Sequence, residues 1–105
     1  MKFIETPIFT RRLKSLLNDE EYRNLQNHLL AFPESGKIII GSGGLRKIRW
    51  QGSSRGKSGG TRIIYYLFSK LDTILMLFIY PKKEQDDLTK EQLKILKSIV
   101  AKEFK

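Results

Sequence analysis

The spacing of the apolar residues changes near Gly36, where two successive helical stretches give way to a run of strands, and that change restricts the fold more than any single motif. From Pro7 to Phe32 apolar positions recur at helical intervals; from Lys37 to Tyr80 they alternate or run together as they do in strands. Pro7 suits the first turn of a helix, and Ile8, Leu13, Leu16 and Leu17 follow at helical spacing with Arg12 among them. Asn18 then caps a second helix. Asp19, Glu20 and Glu21 favour its positive N-terminal end, and Tyr22, Leu25, Leu29 and Phe32 form its apolar stripe. Pro33-Glu34-Ser35-Gly36 stops it.

Beyond that stop, the pattern predicts strands at Lys37–Ile40, Leu45–Gln51, Thr61–Ser69 and Thr73–Tyr80, with a short first strand at Lys2–Glu5. Gly41-Ser42-Gly43-Gly44 turns the chain, Gln51 to Gly60 makes a basic loop, and Lys70-Leu71-Asp72 makes a tight turn. Thr89-Lys90-Glu91-Gln92 has the form of a capping box. It opens a last helix whose stripe is Leu93, Leu96, Ile99, Val100 and Phe104. The order β-α-α-β-β-β-β-α with short connections implies an α+β fold. Its mostly antiparallel sheet has four to five strands, two N-terminal helices and one C-terminal helix. The 105 residues are expected to form a single domain, 1–105.

Charge is distributed as unevenly as periodicity. The chain carries +9, and from Ser35 to Leu71 it has no acidic residue but eight basic ones: Lys37, Arg46, Lys47, Arg49, Arg55, Lys57, Arg62 and Lys70. Twelve basic and eleven acidic residues remain elsewhere, so nearly all the excess lies in one contiguous third. Such a patch calls for an anionic partner.

Other classes are excluded. The absence of cysteine removes disulfide frameworks, thiol nucleophiles and thiolate metal sites, and a lone His28 removes sites needing two histidines. The N-terminus lacks the pattern of a signal peptide, and the longest apolar run, Ile74 to Tyr80, is too short to span a bilayer. A soluble cytoplasmic protein without membrane association, metal or small-molecule cofactor is the expectation. Gly56-Lys57-Ser58 suggests a P-loop, but Gly52 is one residue too close and a strand, not a helix, follows. The stretch reads instead as a basic flap whose glycine-rich backbone can approach phosphate.

The strand phase places Arg46, Ile48 and Trp50 on one face and Lys47, Arg49 and Gln51 on the other. Arg62 opens the next strand, on the face of Ile64, Tyr66 and Phe68, and Tyr80, Lys82 and Lys83 end the last one. Adjacent strands can gather Lys47, Arg49, Arg62, Lys82 and Lys83 into one patch. Like charges so placed repel, which requires a compensating anion. The plainer reading is a solvated basic face.

Three segments in order carry a resemblance to a known family: Gly43-Gly44-Leu45-Arg46-Lys47-Ile48-Arg49, Gly59-Gly60-Thr61-Arg62-Ile63-Ile64-Tyr65-Tyr66, and Tyr80-Pro81-Lys82-Lys83-Glu84-Gln85-Asp86-Asp87-Leu88-Thr89. Together they resemble the HigB-like branch of the RelE/ParE toxin superfamily over nearly the whole chain. The resemblance implies a microbial-RNase-like fold and a cognate HigA-like helix-turn-helix antitoxin. It also implies cleavage of mRNA on the ribosome, in the 30S decoding site. Lys47 and Arg49 match the basic pair of the central strand, Arg62 matches the arginine of the next, and Lys83 falls where such toxins carry a basic residue. Two features of the pattern are absent: the histidines of some HigB toxins and the C-terminal tyrosine of RelE-type catalysis, in whose region stand Asp86-Asp87-Leu88-Thr89.

Metal-free RNA cleavage needs a base for the 2′-hydroxyl, cations for the phosphorane and an acid for the leaving 5′-oxygen. Arg49 and Arg62 suit the second role. Lys47 or Lys57, among cations, is a candidate base; Tyr80 is a candidate acid or a stacking platform. Arg46, Arg55, Lys57 and Lys82 are the expected RNA-binding set. Two rivals remain: a non-catalytic RNA- or ribosome-binding module stacking bases on Trp50 and Tyr66, and a ParE-like toxin acting on gyrase.

Overall fold

A computed structural model describes residues 1–51 and 60–104. The elements are β1 (Lys2–Glu5), α1 (Pro7–Leu16), α2 (Asp19–Ala31), β2 (Lys37–Ile38), β3 (Leu45–Trp50), β4 (Thr61–Phe68), β5 (Thr73–Pro81) and α3 (Lys90–Phe104), in the order the periodicity implies. The helix starts are built as the sequence suggests. Asn18 and Glu21 form a reciprocal capping box, and Thr89 and Gln92 exchange the same pair of bonds, at 2.9 and 3.0 Å.

The strands form one sheet in the order β1-β5-β4-β3-β2. Three neighbouring pairs are antiparallel, while β1 runs parallel to β5, making the sheet mixed. Helices α1 and α2 cover one face, burying Phe9, Leu17, Leu25 and Leu29 against Ile48, Ile63, Tyr65 and Met76. Helix α3 covers part of the other, with Leu96 and Val100 against Ile64, Leu75, Leu77 and Phe78.

A register shift interrupts the β4–β5 ladder: Ile64 pairs with Phe78 but Tyr65 pairs with Met76, leaving Leu77 as an extra residue. Leu77 and Phe78 therefore both belong to the α3 side, and Tyr80 follows them there. Strict alternation from Leu75 would have put Tyr80 under α1 and α2.

Two sequence expectations need correction. Strand β2 stops at Ile38 rather than Ile40: Ile39 N–H bonds Leu45 C=O at 2.8 Å, after which Gly41, Gly43 and Gly44 turn the chain at positive φ. Phe32 is 61 % exposed rather than part of the buried stripe, because α2 ends at Ala31 and Phe32 leaves the helix at φ −136°. The side chain of Phe104 lies outside the described part of the molecule.

The connection from α2 into the sheet is pinned by Tyr65. Its buried hydroxyl accepts from Gly36 N–H at 2.9 Å and donates to Pro33 C=O at 2.8 Å. A Cβ on Gly36 would stand 2.8 Å from the Tyr65 ring, so only glycine fits there. Tyr65→Phe leaves a buried N–H without its partner and is expected to destabilise the fold by about 1–3 kcal/mol in chemical denaturation.

Candidate functional site

Strands β3, β4 and β5 carry the basic residues into register. Arg49 pairs with Arg62, and Arg62 pairs with Tyr80. One row across three strands therefore reads Arg49, Arg62, Tyr80, with neighbouring Cβ atoms roughly 5 Å apart. Lys47 stands one row along the same face, paired with Ile64 on β4 and Lys37 on β2. The row runs from exposed to buried: Arg49 faces solvent, Arg62 is 4 % exposed and Tyr80 is fully buried.

The face does contain an anion. Lys47 Nζ donates to Asp87 Oδ1 at 2.6 Å. The hydrogen bond and charge of Lys47 hold the Asp87 carboxyl below the usual carboxylate range, with Arg62 and Arg49 adding to the effect. The short segment carrying Asp87 is itself fastened. Gln85 Nε2 donates to Asp87 C=O at 2.9 Å and to Gln92 Oε1 at 2.7 Å, and Leu88 packs into the α3-side core.

Tyr80 Oη is buried and has no hydrogen-bond partner among the described residues. Burial pushes its pKa up to about 12; Asp87 and Asp86 push the same way, and Arg62 opposes them. At neutral pH it is a phenol that holds a proton with nothing to give it to.

The remaining site candidates divide. Lys82 and Lys83 sit exposed in the turn just past Tyr80. That turn is anchored to α1 by Arg12, whose Nε donates to Ile79 C=O at 2.8 Å and whose Nη2 bonds both oxygens of Glu84 at 2.7 and 2.9 Å. Arg46 points to the opposite face, where its guanidinium donates to Glu34 C=O at 3.0 Å and Gly36 C=O at 2.8 Å. Arg55 and Lys57 lie outside the described residues. His28 packs beside Trp50, ring centroids 5.3 Å apart. Trp50 belongs to the α1–α2 side and Tyr66 to the α3 side, so the two rings cannot form one stacking surface.

Asp87 is the site residue that residue types alone do not single out. The signal was available: an acid-free basic third must be compensated from outside, and Asp87 lies two residues before a capping box, where the chain is held. Among the described residues, no His, Cys, Asp and Glu group is placed to hold a metal ion, and no helix is long and apolar enough to cross a membrane.

A mixed α+β sheet presenting a cationic row, a neighbouring lysine and a proton-bearing phenol is equipped to bind a polyanion through its phosphates. The chain belongs to the RelE toxin family, matching the RelE toxin of the RelE/RelB toxin–antitoxin system over residues 1–105. It is thus the toxin half of a toxin–antitoxin pair, and an antitoxin is its partner.

Because Tyr80 is harder to deprotonate folded than unfolded, it contributes stability that is intact below pH 10 and lost as pH rises through about 12. Tyr80→Phe is expected to flatten the alkaline fall in denaturation midpoint over that window. The remaining slope comes from Tyr22 and Tyr65, which burial also raises.

Proposed function

We propose that this toxin is a HigB-like, ribosome-dependent mRNA endoribonuclease that inhibits translation, held in check by a HigA-like helix-turn-helix antitoxin. The observation that carries this reading is the register of Arg49, Arg62 and Tyr80 in a single row. Cleavage proceeds by attack of the 2′-oxygen on the adjacent phosphorus, giving a 2′,3′-cyclic phosphate and a 5′-hydroxyl without a metal. The phosphorane gathers negative charge on its equatorial oxygens, and the planar guanidinium of Arg49 or Arg62 matches two of them at once. Lys47 adds a third cation. Tyr80 is the proposed proton donor to the departing 5′-oxygen: burial keeps its phenol protonated at neutral pH, and the bound RNA has to uncover the hydroxyl that the free toxin buries. Lys83 is the proposed further cation of the catalytic set, and Lys82, Arg55 and Lys57 are the proposed contacts to flanking phosphates; Arg46, on the opposite face, lies away from them.

A nuclease differs from a non-catalytic binder and from a gyrase poison in what it leaves behind. Induction in cells is expected to produce new 5′ ends inside translated reading frames, and co-expression of the antitoxin is expected to abolish them. Arg49→Ala and Arg62→Ala should each slow cleavage by roughly 10²–10³-fold and relieve growth arrest. Arrest and new 5′ ends persisting in both variants would overturn the site. Arrest without new ends points to binding alone, and arrest with broken DNA points to gyrase.

A further inference from the structure

The row supplies cations and an acid but no base. Arginine does not surrender its proton at physiological pH, and Lys47 enters the site as the donor to a carboxylate. We propose that Asp87 is the general base of this toxin, accepting the 2′-hydroxyl proton of the RNA; this rests on the nuclease reading above.

Position argues for it first. The groups facing the Asp87 carboxylate are Lys47 and Arg49 from β3 and Arg62 from β4. Asp87 in turn acts on Tyr80 of β5, as Asp86 of its own segment does. Among the described residues, Asp87 is the carboxylate hydrogen-bonded to a cation of this face. Its neighbour Asp86 makes no such bond. The Gln85 bonds and the half-buried side chain of Leu88 hold its backbone, while its side chain stays 75 % exposed and can receive substrate.

A place for the nucleotide adjoins it. A cleft of about 420 Å³ is lined by Lys47 and Asp87 together with Lys37, Ile38, Leu88 and Leu93. Apolar walls suit a base or ribose, and the ion pair suits the phosphate and the 2′-hydroxyl.

The Lys47–Asp87 bond keeps the carboxylate ionised in the free toxin, which is the form a base requires. When the scissile phosphate arrives it is the stronger anionic ligand for Lys47, and it takes that lysine over. Asp87 then loses the cation that depressed its basicity and becomes a better proton acceptor next to the ribose. The step balances within the site. The 2′-O–H proton passes to Asp87, the 2′-oxygen forms its bond to phosphorus, and the bond from phosphorus to the 5′-oxygen breaks. Its electron pair leaves on the 5′-oxygen, which takes the Tyr80 proton. Solvent returns both groups to their starting forms.

Asp87→Asn keeps the shape and removes the basicity, and its exposed position spares the core. With the full-length toxin and ribosomes carrying a defined message, the expected result is a kcat lower by roughly 10²–10⁴-fold. KM should stay within a few-fold and the melting temperature near the wild-type value. Asp87→Glu, which restores a carboxylate, should recover part of kcat. An Asn variant with unchanged or higher kcat and lower KM overturns the proposal, because Asp87 is then only a competitor for Lys47. In that case wild-type cleavage still stands and so does the nuclease reading. If the wild type itself cleaves nothing, both fall together.

Discussion

Strand β5 is covered on both faces, and the rest of the molecule is arranged around that double burial. Eight consecutive residues from Thr73 to Tyr80 are buried, which leaves the strand no solvent side. Both edges must therefore be hydrogen-bonded: β1 takes one and β4 the other. Helices must also close both faces, with α1 and α2 on one and α3 on the other. The cationic row exists because β5 carries Tyr80 into line with Arg62, and the extra residue at Leu77 decides which face that line occupies.

Burial at the end of β5 and repulsion along the row pull against each other. Arg62 is almost fully covered, and a covered charge is tolerable only with partners. Arg49 and Lys47 stand on the same face, which raises the potential further. A carboxylate brought in from the β5–α3 connection lowers it. In the resting molecule Asp87 occupies part of the field that a phosphate would occupy, so the cations are held in place before any ligand is present. In the proposed nuclease, such preorganisation lets charge stabilisation operate without rearranging the sheet.

Much of this was legible in the sequence, for identifiable reasons. Period and caps gave every element in order, because amphipathic helices and half-buried strands must repeat at 3.6 and 2. The faces of β3 and β4 could be read the same way, which put Lys47 and Arg49 together and Arg46 opposite. The face of Tyr80 could not be read. In a strand buried on both sides every position is apolar, so the pattern holds no phase and gives no sign of a bulge. The parallel pairing of β1 was hidden too, since nothing local in Lys2–Glu5 names a partner some seventy residues away. Phe32 keeps the spacing of the α2 stripe but lies past the residue where the helix unwinds, so the pattern alone does not show its exposure. Asp87 is marked only indirectly, by the acid-free basic third that needs a counter-charge, because an aspartate in a polar connection is ordinary until its cation is known.

The distance between β1 and its partner has a consequence for the order in which the molecule comes into being. Thr6, which caps α1, also donates to Leu77 C=O at 2.8 Å, and Lys2 pairs with Thr73. The first strand thus has no seat until β5 has been made, and the third member of the row is the last buried residue of that strand. A nascent or truncated chain ending before Tyr80 has two arginines on unfinished sheet, no phenol and no counter-carboxylate. Contacts this remote in sequence form late, since the intervening loop must close first. The row therefore closes only once β5 has been laid beside β4, and the first strand is seated in the same step.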